Sequence, residues 1–106
     1  MPMPLESEDA GIYSVSQVAE MLNVQQPFLR RLDSFSIVSP QRSDGRQRRY
    51  SRNDVRLIQH SLSLIGEGLT LAGLRRVLEL EAEVRALKAD ISALKARRVV
   101  FEDALP

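Results

Sequence analysis

Arg30, Arg31, Arg42, Arg46, Arg48 and Arg49 gather in one short stretch, and Arg52 and Arg56 follow closely. From Arg30 to Arg56, eight arginines stand against only Asp33, Asp44 and Asp54, although the 106-residue chain carries a formal charge of just +1. A guanidinium group is a planar fork of donors that grips phosphate oxygens in pairs, so the chemistry on offer is capture of a polyanion. Thirteen of the fifteen bases are arginine, and that bias favours bidentate contacts over diffuse attraction. The charge is also local. Residues 1–20 hold four acids and no base, and residues 67–106 hold seven of each sign. A confined basic stretch is the footprint expected of a nucleic-acid contact.

Other chemistries find little foothold. The chain has no cysteine, which excludes disulfides, thiolate metal sites and cysteine nucleophiles and suits a reducing cytosol. His60 is the only histidine; with no second imidazole to share a metal, it reads as a surface or boundary residue. Glu79, Glu81 and Glu83 are spaced so that the middle carboxylate falls on another helix face, and they read as a solvated flank. There is no phosphate-binding glycine loop and no nucleophile elbow, so neither an enzyme nor a bound metal or cofactor is expected. The first residues lack a basic segment followed by an apolar run, and no stretch approaches the ~20 apolar residues of a membrane span. A soluble, intracellular protein is expected.

The elements that would carry the arginines can be read from periodicity. Residues 1–11 mix Pro, Ser and acids and are expected to be a disordered lead. Ser14 with Gln17 three residues on signals a capped helix start, and Val15, Val18, Ala19 and Leu22 share one face of that helix. After Asn23 a second helix is predicted over 26–35. Pro27 is tolerated in its first turn, Leu29 and Leu32 point inward, and Phe28 and Phe35 lie at the margins. Gln25, Gln26, Arg30, Arg31 and Ser34 point outward, and the pair is a helix-turn-helix candidate. Ile37 and Val38 are expected to start a short strand that Pro40 breaks. Ser43-Asp44-Gly45 turns the chain, and a second strand ends near Tyr50. The result is a β-hairpin wing studded with arginine.

Ser51 with Asp54 caps the next helix, which carries Val55, Leu57, Ile58, Leu62 and Ile65 at helical spacings. Gly66-Glu67-Gly68 ends it, and Thr70 can cap a long helix, or two with a bend, from Leu71 to Arg98. Within that helix Val77, Leu80, Val84, Leu87, Ile91 and Leu94 are spaced 3, 4, 3, 4 and 3, a heptad seam that needs a partner. β-branched residues alternating with leucines along it suggest a parallel pair. The remaining "VVFEDALP" has no periodicity. The predicted fold is mainly α with a small β-hairpin wing. A winged helix-turn-helix domain over 12–80 precedes a coiled-coil dimerisation helix over 81–98 and a tail over 99–106.

One basic surface joined to a helix that fits a major groove points to double-stranded DNA. The candidate contacts are Ser16, Gln25, Gln26, Phe28, Arg30, Arg31, Arg42, Arg46, Arg48, Arg49 and Tyr50. Glutamine suits adenine and arginine suits guanine on the helix, while most wing arginines position without specifying. The partners expected are DNA and a second copy of the chain.

The ordered pieces "YSVSQVAEMLNV", "FLRRLDSFSIVSP", "RSDGRQRRYSRNDVRLIQ" and "EGLTLAGLRRVLELEAEV" resemble the winged-helix domain of MerR-type regulators. The likeness covers about residues 12–98 and is greatest to the heat-shock repressor branch. It implies a repressor whose dimer is held by an antiparallel coiled coil, opposite to the parallel pair suggested by the seam, on a dyad-symmetric operator. By position, Arg30 matches the DNA-contacting arginine of the family's T-L-R-x-Y-(D/E) segment. Gly45 and Arg48 to Tyr50 match the wing, with Tyr50 at its base near the phosphates. This chain departs from the pattern at Phe28 for Thr, at Arg31 and Leu32 for an aromatic pair, at Pro27, which sits one residue late, and at Ser36 for the glycine before the wing. These changes alter the reading helix itself. Direct metal, redox or drug sensing is not expected. Two other readings fit the same residues. One is an excisionase-like architectural protein that bends DNA, and the other is an adaptor whose heptad helix and tail bind a chaperone or other co-regulator.

Overall fold

In the computed structural model, which describes residues 7–105, the first regular element is a two-residue strand, β1 (Tyr13–Ser14), running directly into helix α1 (Val15–Leu22). Ser14 ends the strand and caps the helix. Its Oγ accepts the Gln17 N–H at 3.2 Å, and its own N–H donates to Gln17 Oε1 at 2.8 Å. This reciprocal pairing satisfies donors that a helix start leaves orphaned. The helix closes at Asn23 in the left-handed conformation (φ 54°, ψ 51°), and the Val24 N–H returns to the Ala19 carbonyl at 3.0 Å. Val18 and Ala19 are buried.

Helix α2 (Gln26–Ser34) follows after a short turn, with Pro27 in its first turn and no side-chain cap from Gln25. Leu29 and Leu32 are fully buried, so the expected inward face is the observed one. Its end is closed by Ile37 and Val38, whose N–H groups both return to the Leu32 carbonyl, at 2.9 and 3.4 Å. These two residues were expected to start a strand. Their donors close the helix and their side chains enter the core, so the ladder begins only after Pro40, with β2 (Gln41–Arg42).

β2 pairs antiparallel with β3 (Arg48–Tyr50), and β3 pairs on its other edge with β1, giving the order β1-β3-β2. Tyr13 lies opposite Tyr50, Ser14 and Gln41 both oppose Arg49, and Arg42 opposes Arg48. The wing is therefore a three-stranded sheet, where a lone hairpin was expected. In the turn, the Ser43 N–H donates to the Gln47 carbonyl and the Arg46 N–H to the Ser43 carbonyl, both at 2.8 Å. The turn falls at Ser43-Asp44-Gly45 as expected, and Arg46, at φ 61°, is its left-handed residue.

Helix α3 (Arg52–Gly66) starts from the Ser51–Asp54 capping box and buries Val55, Ile58 and Ser61. Helix α4 (Leu71–Ala104) starts where Thr70 Oγ1 accepts the Gly73 N–H at 3.0 Å. It runs without interruption for 34 residues, past the boundary expected at Arg98, because neither Pro nor Gly interrupts residues 99–104. The chain separates into two compact units between Arg75 and Arg76. The first contains the sheet and helices α1 to α3. The second is the remainder of α4, and along it Leu80, Val84, Leu87, Ile91 and Leu94 are between 42% and 62% exposed.

The expected disordered lead lies partly outside the described residues. Within them it is ordered. The Ile12 N–H donates to the Tyr50 carbonyl at 3.0 Å, the Asn53 N–H to the Glu8 carbonyl at 3.0 Å, and Gln41 Nε2 to the Asp9 carbonyl at 3.1 Å. Asn53 Nδ2 adds a bond to Asp9 Oδ1 at 2.8 Å. The backbone groups of this segment thus pair with β3, with Gln41 and with the start of α3. Among the described residues no helix is long and apolar enough to cross a membrane.

Candidate nucleic-acid interface

α2 and the wing carry most of the charge and divide its arginines into two groups. Arg30 and Arg31 are exposed on α2, held by the helix backbone: the Arg30 carbonyl accepts Ser34 Oγ at 3.0 Å and the Arg31 carbonyl accepts the Phe35 N–H at 2.9 Å. Arg46 is exposed at the wing turn and Arg49 half-buried in the central strand. Among the described residues these four guanidinium groups form no ion pair. They are free to meet an anion.

Arg42 and Arg48 are arranged differently. Arg42 Nη2 and Arg48 Nε both donate to one oxygen, Oδ2 of Asp33, each at 2.9 Å. They are register partners on β2 and β3, where like charges directly opposite would repel. The carboxylate from α2 lies between them. Sequence reasoning assigned both arginines to DNA and assigned Asp33 nothing. The available signal was an acid on the arginine-rich helix, but only the tertiary fold brings it to residues nine and fifteen positions further on.

Tyr50 was expected beside phosphates. Its ring is instead 1% exposed beneath the sheet, and its hydroxyl has no hydrogen-bond partner among the described residues. Burial raises its pKa above the ordinary tyrosine value, with the neighbouring Arg48 charge opposing the shift. It supports the wing from inside and offers no surface to a ligand. Gln25 is exposed and Gln26 and Phe28 are half-buried on α2; Ser16 is exposed in the first turn of α1, its Oγ 3.2 Å from Ser14 Oγ. That contact joins Ser16 to β1, an outer strand of the sheet, and not to the hairpin that carries the arginines.

A further ion pair fixes the lead segment. Glu8 pairs with Arg56 of α3, and the hydrogen bond from that guanidinium holds the Glu8 carboxyl below its usual range. Both partners are largely solvated, so the pair steers the segment more than it stabilises the fold. His60 is exposed, and no group of residues able to hold a metal occurs among the described residues.

Residues 13–81 match the family model described as MerR HTH family regulatory protein. Over 53 residues the chain is 38% identical to a heat shock protein HspR of Streptomyces coelicolor, a match covering 50% of this chain and 35% of that protein. The chain thus spans about a third of that relative's length. Its fold resembles the crystal structure of a MerR-family transcriptional regulator from Bacillus cereus, with TM-score 0.59 and 20% identity over 86% of this chain and 72% of that one. It also resembles MtaN, the N-terminus of the Bacillus subtilis multidrug transporter activator, with TM-score 0.61 and 25% identity over 86% and 92%. A third likeness is to HiNmlR, a MerR-family regulator lacking the sensor domain and bound to promoter DNA, with TM-score 0.59 and 20% identity over 85% and 84%. The family and fold are those of transcriptional regulators and not of enzymes. With 69 of its residues inside the family model, the chain belongs to the MerR family of helix-turn-helix regulatory proteins.

Proposed function

We propose that the chain is a sequence-specific DNA-binding transcription regulator, acting as a homodimer and a repressor. In this reading α2 enters the major groove and presents Gln25, Gln26, Arg30 and Arg31 to base edges, with Phe28 and Ser16 alongside. Arg46 and Arg49 meet the phosphate backbone from the wing. The observation that carries the reading is the division of the arginines: four unpaired guanidinium groups on a reading helix and its adjacent wing, in a chain otherwise balanced in charge. The promoter-bound structure of HiNmlR supports DNA as the ligand class, and the likeness to a heat shock protein HspR supports repression. The uncovered heptad seam of α4 supports self-association.

Binding to a dyad-symmetric genomic site and to a scrambled duplex, each titrated across a salt series, tests this. Removing a phosphate contact lowers affinity for every sequence, so Arg49→Ala should reduce both affinities and flatten the salt slope by about 1. Arg31→Ala should relax discrimination at one base pair, at a cost of about 1–3 kcal/mol on the preferred site. Equal affinity of the unaltered chain for all duplexes would refute sequence-specific regulation. A protein co-regulator such as a chaperone is a second reading, favoured by the exposed Val99, Val100 and Phe101 at the end of α4. Loss of a purified chaperone's binding on deletion of residues 99–106 would support it.

A further inference from the structure

We propose that Asp33 is a positioning residue that sets the wing against the reading helix and withholds Arg42 and Arg48 from phosphate. This rests on the DNA-binding reading and deepens it. One carboxylate oxygen receives a guanidinium from each strand of the wing, both at 2.9 Å. The Asp33 and Arg48 side chains are only 20% and 23% exposed, whereas Arg42 is 46% exposed. Shielding of that kind makes the pair directional and resists salt better than a surface contact does. The two arginines also oppose each other across β2 and β3, so without the carboxylate their repulsion would push the strands apart or send the side chains outward.

The geometric consequence follows from the elements involved. Asp33 lies in the last turn of α2, while Arg42 and Arg48 stand on the two strands leading into and out of the wing turn. Fixing all three to one atom fixes the spacing between a helix that reads bases and a wing that follows the backbone. A regulator whose two contact elements keep one spacing accepts a narrower set of duplex geometries. Asp33 thus contributes to sequence choice without touching DNA, and of the six arginines on α2 and the wing only four are left without an ion pair among the described residues.

Asp33→Asn removes the charge and keeps the size, and it separates positioning from bulk. Freed arginines add phosphate contacts, so affinity for a scrambled duplex should rise and its salt slope steepen, by up to about 1.8 if both engage. The preferred site should gain less or lose, so that the ratio of preferred to scrambled affinity falls about tenfold. Asp33→Glu should restore most of the ratio. A thermal melt checks folding; should Asp33→Asn be unfolded, Arg48→Gln, which retains the Arg42 pair, must show a smaller fall in the same ratio. An unchanged ratio in the folded variant overturns the proposal, as does an equal loss on both duplexes at constant slope. If the unaltered chain selects no duplex, the DNA reading fails separately. Amide exchange at Arg42 and Arg48 in the free protein then still tests the clamp: faster exchange in Asp33→Asn supports it, and unchanged exchange overturns it.

Discussion

Ser36 occupies the left-handed region at φ 58°, immediately after α2, where the family pattern places glycine. An L-residue pays about 1–2 kcal/mol for that conformation, because Cβ crowds the following carbonyl. Its backbone is nonetheless committed, since the Ser36 N–H donates to the Asp33 carbonyl at 2.9 Å while Ile37 closes on Leu32. Ser36→Gly relieves the crowding and gives back roughly 0.5–1 kcal/mol through the larger freedom of glycine in the unfolded chain. The balance predicts a gain of about 0.5–1 kcal/mol in stability, read from urea unfolding at constant m-value. A loss of stability would mean that this turn relaxes out of the left-handed region in solution. Arg46, also left-handed, is a poorer place for the same change, because its free guanidinium belongs to the candidate interface.

The elements divide by how local their causes are. The capping boxes Ser14–Gln17 and Ser51–Asp54 are decided within four residues, and both helix starts were readable from spacing alone. So were the buried faces of α1 and α2, whereas α4 was read as one helix or two with a bend ending at Arg98, and it is a single helix to Ala104. The third strand was not readable, because β1 is two residues long and exists only by pairing with β3, some 35 positions away. The lead segment was misread for the same reason: its bonds reach Gln41 and Asn53, 32 and 44 residues on, and a polar composition gives no sign of them. Gly11 makes that packing testable. A Cβ there would lie 2.8 Å from Gln41 Oε1, 3.0 Å from Arg49 Cβ and 3.1 Å from the Arg49 carbonyl oxygen. The glutamine can swing away, but the central strand cannot. Gly11→Ala should therefore cost about 1–3 kcal/mol by overpacking and weaken binding to every duplex, since the strand displaced is the one carrying Arg49. Wild-type stability in a denaturant titration would show that the lead does not pack on the sheet.

For the whole molecule the open matter is how two copies would pair, and two arguments disagree. The β-branched and leucine columns of the seam suit a parallel pair, while the family resemblance implies an antiparallel one. Each seam side chain from Leu80 to Leu94 leaves about half its surface uncovered in a single chain, so either arrangement removes apolar area from water. They differ in what they do to the winged units: antiparallel helices send the two units to opposite ends, which suits a dyad operator with separated half-sites. The absence of cysteine makes the orientation directly measurable, because one introduced thiol has no competitor. In a parallel, in-register pair, equivalent residues face each other, so Leu80→Cys should cross-link to its own copy within disulfide reach. In an antiparallel pair centred near Leu87, the two Leu80 positions lie about 20 Å apart along the helices at ~1.5 Å per residue, too far for a disulfide. Leu87→Cys, near the centre, should then cross-link instead. We expect efficient oxidation of Leu87→Cys and little of Leu80→Cys, read as dimer on a non-reducing gel. Efficient cross-linking of both would establish the parallel pair, and a monomeric mass for the unaltered chain in sedimentation would remove the dimer altogether.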